Sequence, residues 1–326
     1  MKVLFAVSRL EKPSSRLRVL QYLPFLKEAA FECRVIELRK SLLKRAWFLY
    51  LAFSSDIVFI QKKLLTPVEV IILHLSRAKK VFDIDDALVY REKGRDCVKD
   101  KKAERKLQFL VKRCDLVLAG NDYLKEMVKR GNGSVEVFPT PCPRTACGPV
   151  KEKKEKKHLV WIGSKSTLKY LDSLGPVFHE LSRMNPELRL IIISDSFPDE
   201  ILIPTEEIPW SERSEFESVS KGAIGLMPLF DNDWCKGKCG YKIIQYMACG
   251  LPSVASPVGF NSHLIQDGVN GFLAKSDEEW IEKITRLLSD EKLYRSLSLK
   301  ARETFERDYT LEGNAEKLVA FLKNLF

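Results

Sequence analysis

Lys238, Lys242 and Gln245 lie at i, i+4 and i+7, just after Gly237 and around Gly240. On a helix beginning near Gly237 that spacing puts the three side chains on one face, with both lysines in the first turns. Lysines at a helix start oppose the local dipole unless an anion answers them, and the glycines let backbone N–H groups approach that anion closely. Gly250 followed by Pro252 ends the helix. The stretch from Gly222 to Leu273 reads as strand, polar loop, helix, glycine stop and strand. This is the layout with which α/β proteins hold an anionic ligand where strands end and helices begin. A phosphate-bearing ligand is the expectation, and a Lys-capped surface helix is the alternative.

Positioning such a site takes a regular scaffold, and apolar runs alternate with helical stretches along the chain. Val3–Val7, Cys33–Leu38, Asp56–Ile60, Lys80–Ile84, Leu116–Ala119 and Val135–Phe138 read as buried strands of a parallel, doubly wound sheet. The segment Pro139–Lys157, with four prolines and then a charged run, reads as an exposed linker. The alternation restarts at His158–Ile162, Leu190–Ser194, Gly222–Pro228, Ser253–Ala255 and Gly271–Ala274, with helices from about Thr167 and near Glu212. From Asp277 the chain reads as helical to its end, with breaks near Ser289 and Tyr309. The fold class is therefore α/β, with two tandem Rossmann-like domains, an interdomain cleft and a helical C-terminus. The expected boundaries are 1–140, the linker 141–157, 158–308, and a final helix over 309–326 that packs back on the N-terminal domain. Neither a Gly-x-Gly-x-x-Gly after the first strand nor a Gly-Lys-Ser/Thr loop occurs, which argues against a dinucleotide oxidoreductase or a P-loop NTPase.

Composition narrows the class further. With 326 residues, 45% of them hydrophobic, the chain is long enough for two ordinary cores. No uncharged apolar run approaches the ~20 residues that span a bilayer. MKVLFAVSRL reads as a first strand rather than a signal peptide, so a cytoplasmic location is expected. The eight cysteines are expected to be reduced thiols, and neither Cys235-x3-Cys239 nor Cys142-x4-Cys147 has a nearby histidine to complete a metal set. The net charge of +10 is uneven: residues 1–150 carry 30 Lys and Arg against 17 Asp and Glu, while the remainder is slightly acidic. Without nucleic-acid motifs, that excess points to an anionic acceptor or to peripheral contact with an anionic membrane at the inner face, with a lysine-rich solvated surface as the alternative.

KIIQYMACGLPSVASPVGFNSHLIQDGVNGFLA closely resembles the donor-binding region of GT-B glycosyltransferases, specifically the retaining family four, or group-one, enzymes. MACGLP, SPVG and DGVNGFL carry the resemblance in order, and WIGSKSTLKYL, VFDIDDA, DLVLAGNDYL and VFPTP extend it over the chain. The resemblance implies that the C-terminal domain binds a nucleotide sugar, that the N-terminal domain binds the acceptor, and that transfer retains anomeric configuration without a catalytic metal or other cofactor. Two departures stand out. Where the family commonly shows Glu-x7-Glu, this chain has Gly237 and Gln245; where many relatives have Pro and Glu after the Gly-rich turn, it has Ser262 and His263. Gln245 still offers an amide to a ribose hydroxyl. Asp231, Asp233 or a backbone group is left to replace the first glutamate.

Metal-free transfer leaves negative charge on the leaving diphosphate to be met by cations and helix N-termini. Lys238 and Lys242 are the candidates for that catalytic role, with Lys165 or Lys169 beside the Gly163–Ser164 turn, and Gly259 and Phe260 present backbone amides to the donor. Arg16 and Arg18 read either as a clamp on a phosphate or as exposed residues of a helix start capped by Ser14 or Ser15. Asp85 and Asp86, after a buried strand, read either as contacts to the sugar or acceptor hydroxyl or as a helix cap, and Asn121 reads as a weaker cleft candidate or as an N-cap. The expected activity is transfer of a sugar from a nucleotide-sugar donor to a cell-envelope polysaccharide or lipid-linked acceptor. A nucleotide-sugar-binding protein without turnover and a sugar-nucleotide epimerase of the same architecture are the alternatives, and nucleic-acid binding ranks last.

Overall fold

The computed structural model describes residues 1–38, 41–129, 131, 134–148 and 156–326. These form two compact units. The first comprises Met1–Pro141, Asn232–Cys239 and Leu311–Phe326, and the second comprises Cys142–Asp231 and Gly240–Thr310. Residues 149–155 of the expected linker lie outside the described residues, and Arg144–Ala146 before them forms one 3₁₀ turn.

In the first unit, β1 (Lys2–Val7), β2 (Glu32–Glu37), β3 (Ile57–Gln61), β4 (Lys79–Ile84), a hairpin of β5 (Tyr90–Lys93) and β6 (Asp96–Lys99), β7 (Leu116–Ala119) and β8 (Val135–Val137) follow in chain order. The main sheet runs β2-β1-β3-β4-β7-β8 with every pair parallel. Its central strands are buried on both faces, which is why they read as unbroken Val, Ile, Leu and Phe runs. On one face Phe5, Phe59, Val81 and Leu118 pack with Tyr22, Phe138 and Leu311, Ala315, Leu318 and Leu322 of the last helix, Leu311–Lys323. On the other, Phe82 and Val58 meet Phe48, Val70, Leu73 and Leu107 from the helices Leu42–Ala52, Pro67–Leu75 and Lys101–Val111. Helix Pro67–Leu75 starts at a capping box in which Thr66 and Glu69 satisfy each other's backbone amides.

The second unit contains β9 (His158–Ile162), β10 (Arg189–Ser194), β11 (Thr205–Pro209), β12 (Ile224–Met227), β13 (Ser253–Ala255) and β14 (Phe272–Leu273). Its parallel sheet runs β11-β10-β9-β12-β13-β14, the strand order of a dinucleotide-type Rossmann fold. In such sheets ligands bind beyond the strand C-termini where the order reverses. The reversal falls between β9 and β12 in this unit and between β1 and β3 in the first.

Several expectations are corrected. The helix expected from about Gly237 is two helices, Asp233–Lys236 and Tyr241–Ala248, parted at Gly240, whose φ of +62° no helix continues through. Lys238 therefore does not share a helix face with Lys242 and Gln245. Asn232–Cys239, read as part of the C-terminal domain, packs within the first unit. Cys147 and Cys249, expected as thiols, are disulfide-bonded with Cα atoms 5.2 Å apart, while the other six cysteines are thiols as expected. The hairpin β5–β6 and the edge strand β11 escape the apolar-run criterion because their residues are largely charged or exposed. Among the described residues, no helix is long and apolar enough to cross a membrane.

Candidate functional site

In the first unit the C-terminal ends of β3 and β4 hold a charged cluster. Lys62, the residue after β3, adopts the left-handed conformation at φ +54°, which costs a non-glycine side chain about 1 kcal/mol or more. The turn aims its ammonium at the Asp85–Asp86 pair: Nζ forms a close ion pair with the Asp86 carboxylate and lies 3.4 Å from Asp85 Oδ1. The second contact is an ion-pair distance without hydrogen-bond geometry, so Asp85 Oδ1 is buried with no hydrogen-bond donor. Burial, reinforced by Asp86 and Asp83 and opposed by Lys62, pushes the Asp85 carboxyl up to about 6. Burial works against the Lys62 charge, but the two aspartates outweigh it and raise its pKa.

Arg18 is fully buried, not an exposed phosphate clamp. Its guanidinium binds Asp83, donates to the Phe138 carbonyl at 2.7 Å and to Thr140 Oγ1 at 3.3 Å, and lies over the Phe138 ring. With 1% of its surface exposed and its guanidinium held by an internal carboxylate, Arg18 is out of reach of an acceptor. Arg16 is half-buried in the same short helix, which begins at Lys12–Pro13 with no side-chain cap from Ser14 or Ser15. Asp83 is the internal partner of Arg18.

The segment Asn232–Cys239 is fastened onto this cluster. Asn121 caps the helix Asp122–Lys129 by accepting from Leu124 N at 2.8 Å, and its amide donates to the carbonyls of Lys236 and Lys238 at 3.2 and 3.0 Å. Cys239 Sγ lies 3.2 Å from the Asp85 carbonyl, and Asn232 donates to the Arg95 carbonyl at the hairpin tip at 2.7 Å. Burial and the neighbouring Asp85 raise the Cys239 thiol well above its ordinary pKa, which makes it a packing group rather than a nucleophile. Two glycines make the approach possible. A Cβ on Gly237 would stand 2.4 Å from Ala87 Cβ and 2.7 Å from Ala87 N, and one on Gly120 would stand 2.2 Å from Cys239 Sγ. A side chain at Gly237 would therefore collide with Ala87. Gly237, Lys238, Asp85 and Asp86 come together here; Lys238 lies over the Trp234 ring at 5.3 Å.

In the second unit the other candidates gather where the strand order reverses. The turn after β9 presents Gly163, Ser164 and Lys165, and Lys165 N donates to Asp195 Oδ1 at 2.7 Å beyond β10. Lys242, in the first turn of the helix Tyr241–Ala248, crosses to this turn: Nζ is 3.5 Å from Thr167 Oγ1 and 4.3 Å from the Trp161 ring centroid. Gln245, one turn on, is buried with an Nε2 that has no hydrogen-bond partner. A buried amide donor left unsatisfied costs about 1–3 kcal/mol, so this atom calls for an acceptor. Gly240 packs on Leu264 and within contact of Phe260, which brings the Gly259–Phe260 turn beside the helix start. Lys169 sits on the short helix Leu168–Asp172, over the ring of Tyr170, at the edge of this group. His263, at a family-variant position, stacks on Phe260 with ring centroids 5.1 Å apart. Lys62 and Asn121's grip on residues 236–238 were not legible as site features; the only sequence signal was Asn121 placed just after a buried strand.

Residues 156–290 match the family model described as glycosyl transferases group 1. N-acetyl-alpha-D-glucosaminyl L-malate synthase of Bacillus anthracis is 28% identical over 93 residues, which is 28% of this chain and 23% of that enzyme's length. Two solved structures share the fold over nearly the whole chain. HepE of Anabaena in complex with UDP-glucose has a TM-score of 0.73 at 13% identity, covering 99% of this chain and all of the other. Sucrose-phosphate synthase from Thermosynechococcus elongatus has a TM-score of 0.75 at 13% identity, covering 100% and 99%. The chain shares the two-sheet GT-B architecture of these structures, and the group 1 similarity is confined to residues 156–290.

Proposed function

We propose that this chain, whose residues 156–290 carry a group 1 glycosyltransferase domain, transfers a sugar from a nucleoside-diphosphate donor to a glycan or lipid-linked acceptor of the cell envelope, with retention and without metal or cofactor. The observation that carries the reading is the convergence of Lys242, the Gly163–Thr167 turn and the unsatisfied Gln245 amide where the strand order of that domain reverses. Lys242, the amides of the Gly163–Lys165 turn and the start of helix Tyr241–Ala248 meet the diphosphate, with Lys165 and Lys169 as further cations. Gln245 Nε2 donates to a ribose oxygen, and the Gly259–Phe260 backbone faces the donor. A structure of the same fold solved in complex with UDP-glucose supports a UDP-sugar as donor.

In this mechanism the bond between the anomeric carbon and the diphosphate oxygen breaks as the acceptor oxygen bonds to that carbon on the same face. The acceptor proton passes to the leaving phosphate oxygen, so no strong protein base is required. Lys242 stabilises the charge that develops on the diphosphate in the second unit. In the first unit Asp86, held by Lys62, orients the acceptor hydroxyl with Asp85 beside it. The backbone around Gly237 takes the place of the glutamate that relatives carry.

Calorimetric titration with UDP, GDP and ADP in metal-free buffer tests the donor assignment. Selective binding of one of them, weakened about 10- to 100-fold in Lys242→Ala, is expected from the loss of one charge-assisted contact of roughly 1.5–3 kcal/mol. Equal binding by the two proteins would remove Lys242 from the site.

A further inference from the structure

We propose that the outer face of the helices Leu42–Ala52 and Pro67–Leu75 docks on an anionic lipid surface. The two helices pack side by side in the first unit, and each is apolar on both sides. Their inner residues, Phe48, Leu51, Val70 and Leu73, are in the core. Their outer residues are also apolar. Leu43, Trp47 and Tyr50 recur at i, i+4 and i+7, and Val68, Ile71 and Leu75 at i, i+3 and i+7, so each helix presents a second stripe on the side away from the sheet. Leu42 and Leu43 are each 84% exposed and Leu75 is 71% exposed, and Phe53 continues the surface. Contiguous exposed apolar surface of this kind marks an interaction site, whereas single exposed leucines do not.

The charge around the stripe selects the occupant. Between Leu38 and Lys80 the chain has only two carboxylates, and both are engaged: Asp56 accepts from Lys2 N at 2.6 Å, and Glu69 binds Arg45 and Thr66. The neighbouring helix Lys101–Val111, which packs beside Pro67–Leu75, adds Lys101, Lys102 and Arg105 on its exposed side. Arg34 lies over the Trp47 ring at 5.7 Å, and Trp47 stacks on Tyr50. Apolar side chains with stacked Trp and Tyr, rimmed by cations, match the boundary between acyl chains and anionic headgroups. A second copy of the chain fits less well, because a two-fold contact through this stripe would bring the basic rim against itself. This inference is independent of the glycosyl-transfer reading.

Co-sedimentation of the full chain with phosphatidylcholine vesicles, with and without phosphatidylglycerol, tests it, together with light scattering of the protein alone. Binding only to the anionic vesicles, falling with added salt, is expected. Leu43→Ser/Tyr50→Ser should abolish it. Lys101→Gln/Lys102→Gln, which leaves the stripe intact and serves if the first variant folds poorly, should weaken it about thirtyfold, or about fivefold per cation. Absence of vesicle binding, vesicle binding unchanged in both variants, or a dimer that Leu43→Ser/Tyr50→Ser dissociates in place of vesicle binding would each overturn the proposal.

Discussion

Replacing Gly237 by alanine isolates the fastening of Asn232–Cys239 to the first unit. The backbone at Gly237 has φ −77° and ψ −3°, which alanine adopts without strain, so the unfolded chain's lost entropy alone would make the variant about 0.4–1 kcal/mol more stable. The new methyl, however, stands 2.4 Å from Ala87 Cβ and 2.7 Å from Ala87 N, and backbone atoms do not swing aside as a flexible side chain would. Relief by overpacking costs about 1–3 kcal/mol. Relief by lifting the segment gives up the two Asn121 bonds to the Lys236 and Lys238 carbonyls, at about 1 kcal/mol each. Both routes outweigh the entropy gain, so a net loss of about 1–2 kcal/mol is expected. Denaturant unfolding measures it, and hydrogen exchange of residues 232–239 shows whether the segment loosens. Ala87→Gly removes the nearest contact but leaves the Ala87 nitrogen, so the double variant should recover about half the loss. A neutral or stabilising Gly237→Ala with no coupling to position 87 would refute the close-approach argument.

Arg18→Met should destabilise the protein by about 3–5 kcal/mol in denaturant unfolding, because it leaves Asp83 charged and buried, and Arg18→Met/Asp83→Leu should recover most of that loss. Asp85 is held at about 6, above its ordinary 3.8, so the native state holds its proton more tightly than the unfolded chain does. Its contribution to stability is present below about pH 4 and lost as the pH rises through 6. Asp85→Asn should therefore flatten the stability profile across that window, as read by thermal unfolding in a pH series. Lys62→Met should lower kcat/KM more than tenfold through loss of the Asp86 positioning, with steady-state kinetics at equal folded fraction as the readout.

The regular parts of this fold were legible because parallel strands buried on both faces announce themselves as apolar runs, as Ile57–Gln61 and Leu116–Ala119 do. The charged hairpin Tyr90–Lys99 and the edge strand Thr205–Pro209 were not, since pairing rather than burial defines them. The lysine spacing suggested one continuous helix face, but periodicity carries no information on Gly240, whose left-handed φ ends that helix before it begins. Lys242 still reaches the Gly163–Thr167 turn because the contact needs only its own helix. Arg18 was misread because burial of a charge depends on a partner, Asp83, 65 residues away. Lys62 was invisible for the same reason: its role arises from a strand end that places it against a carboxylate pair supplied by the next strand.

The central claim is tested most directly by nucleoside-diphosphate release from UDP-glucose, UDP-N-acetylglucosamine and their GDP and ADP counterparts, comparing the natural chain with Lys242→Ala at equal fold stability. Release from one donor class by the natural chain, slowed at least tenfold in the variant, is the predicted result. No release from any donor, or equal release by the two proteins, would contradict it.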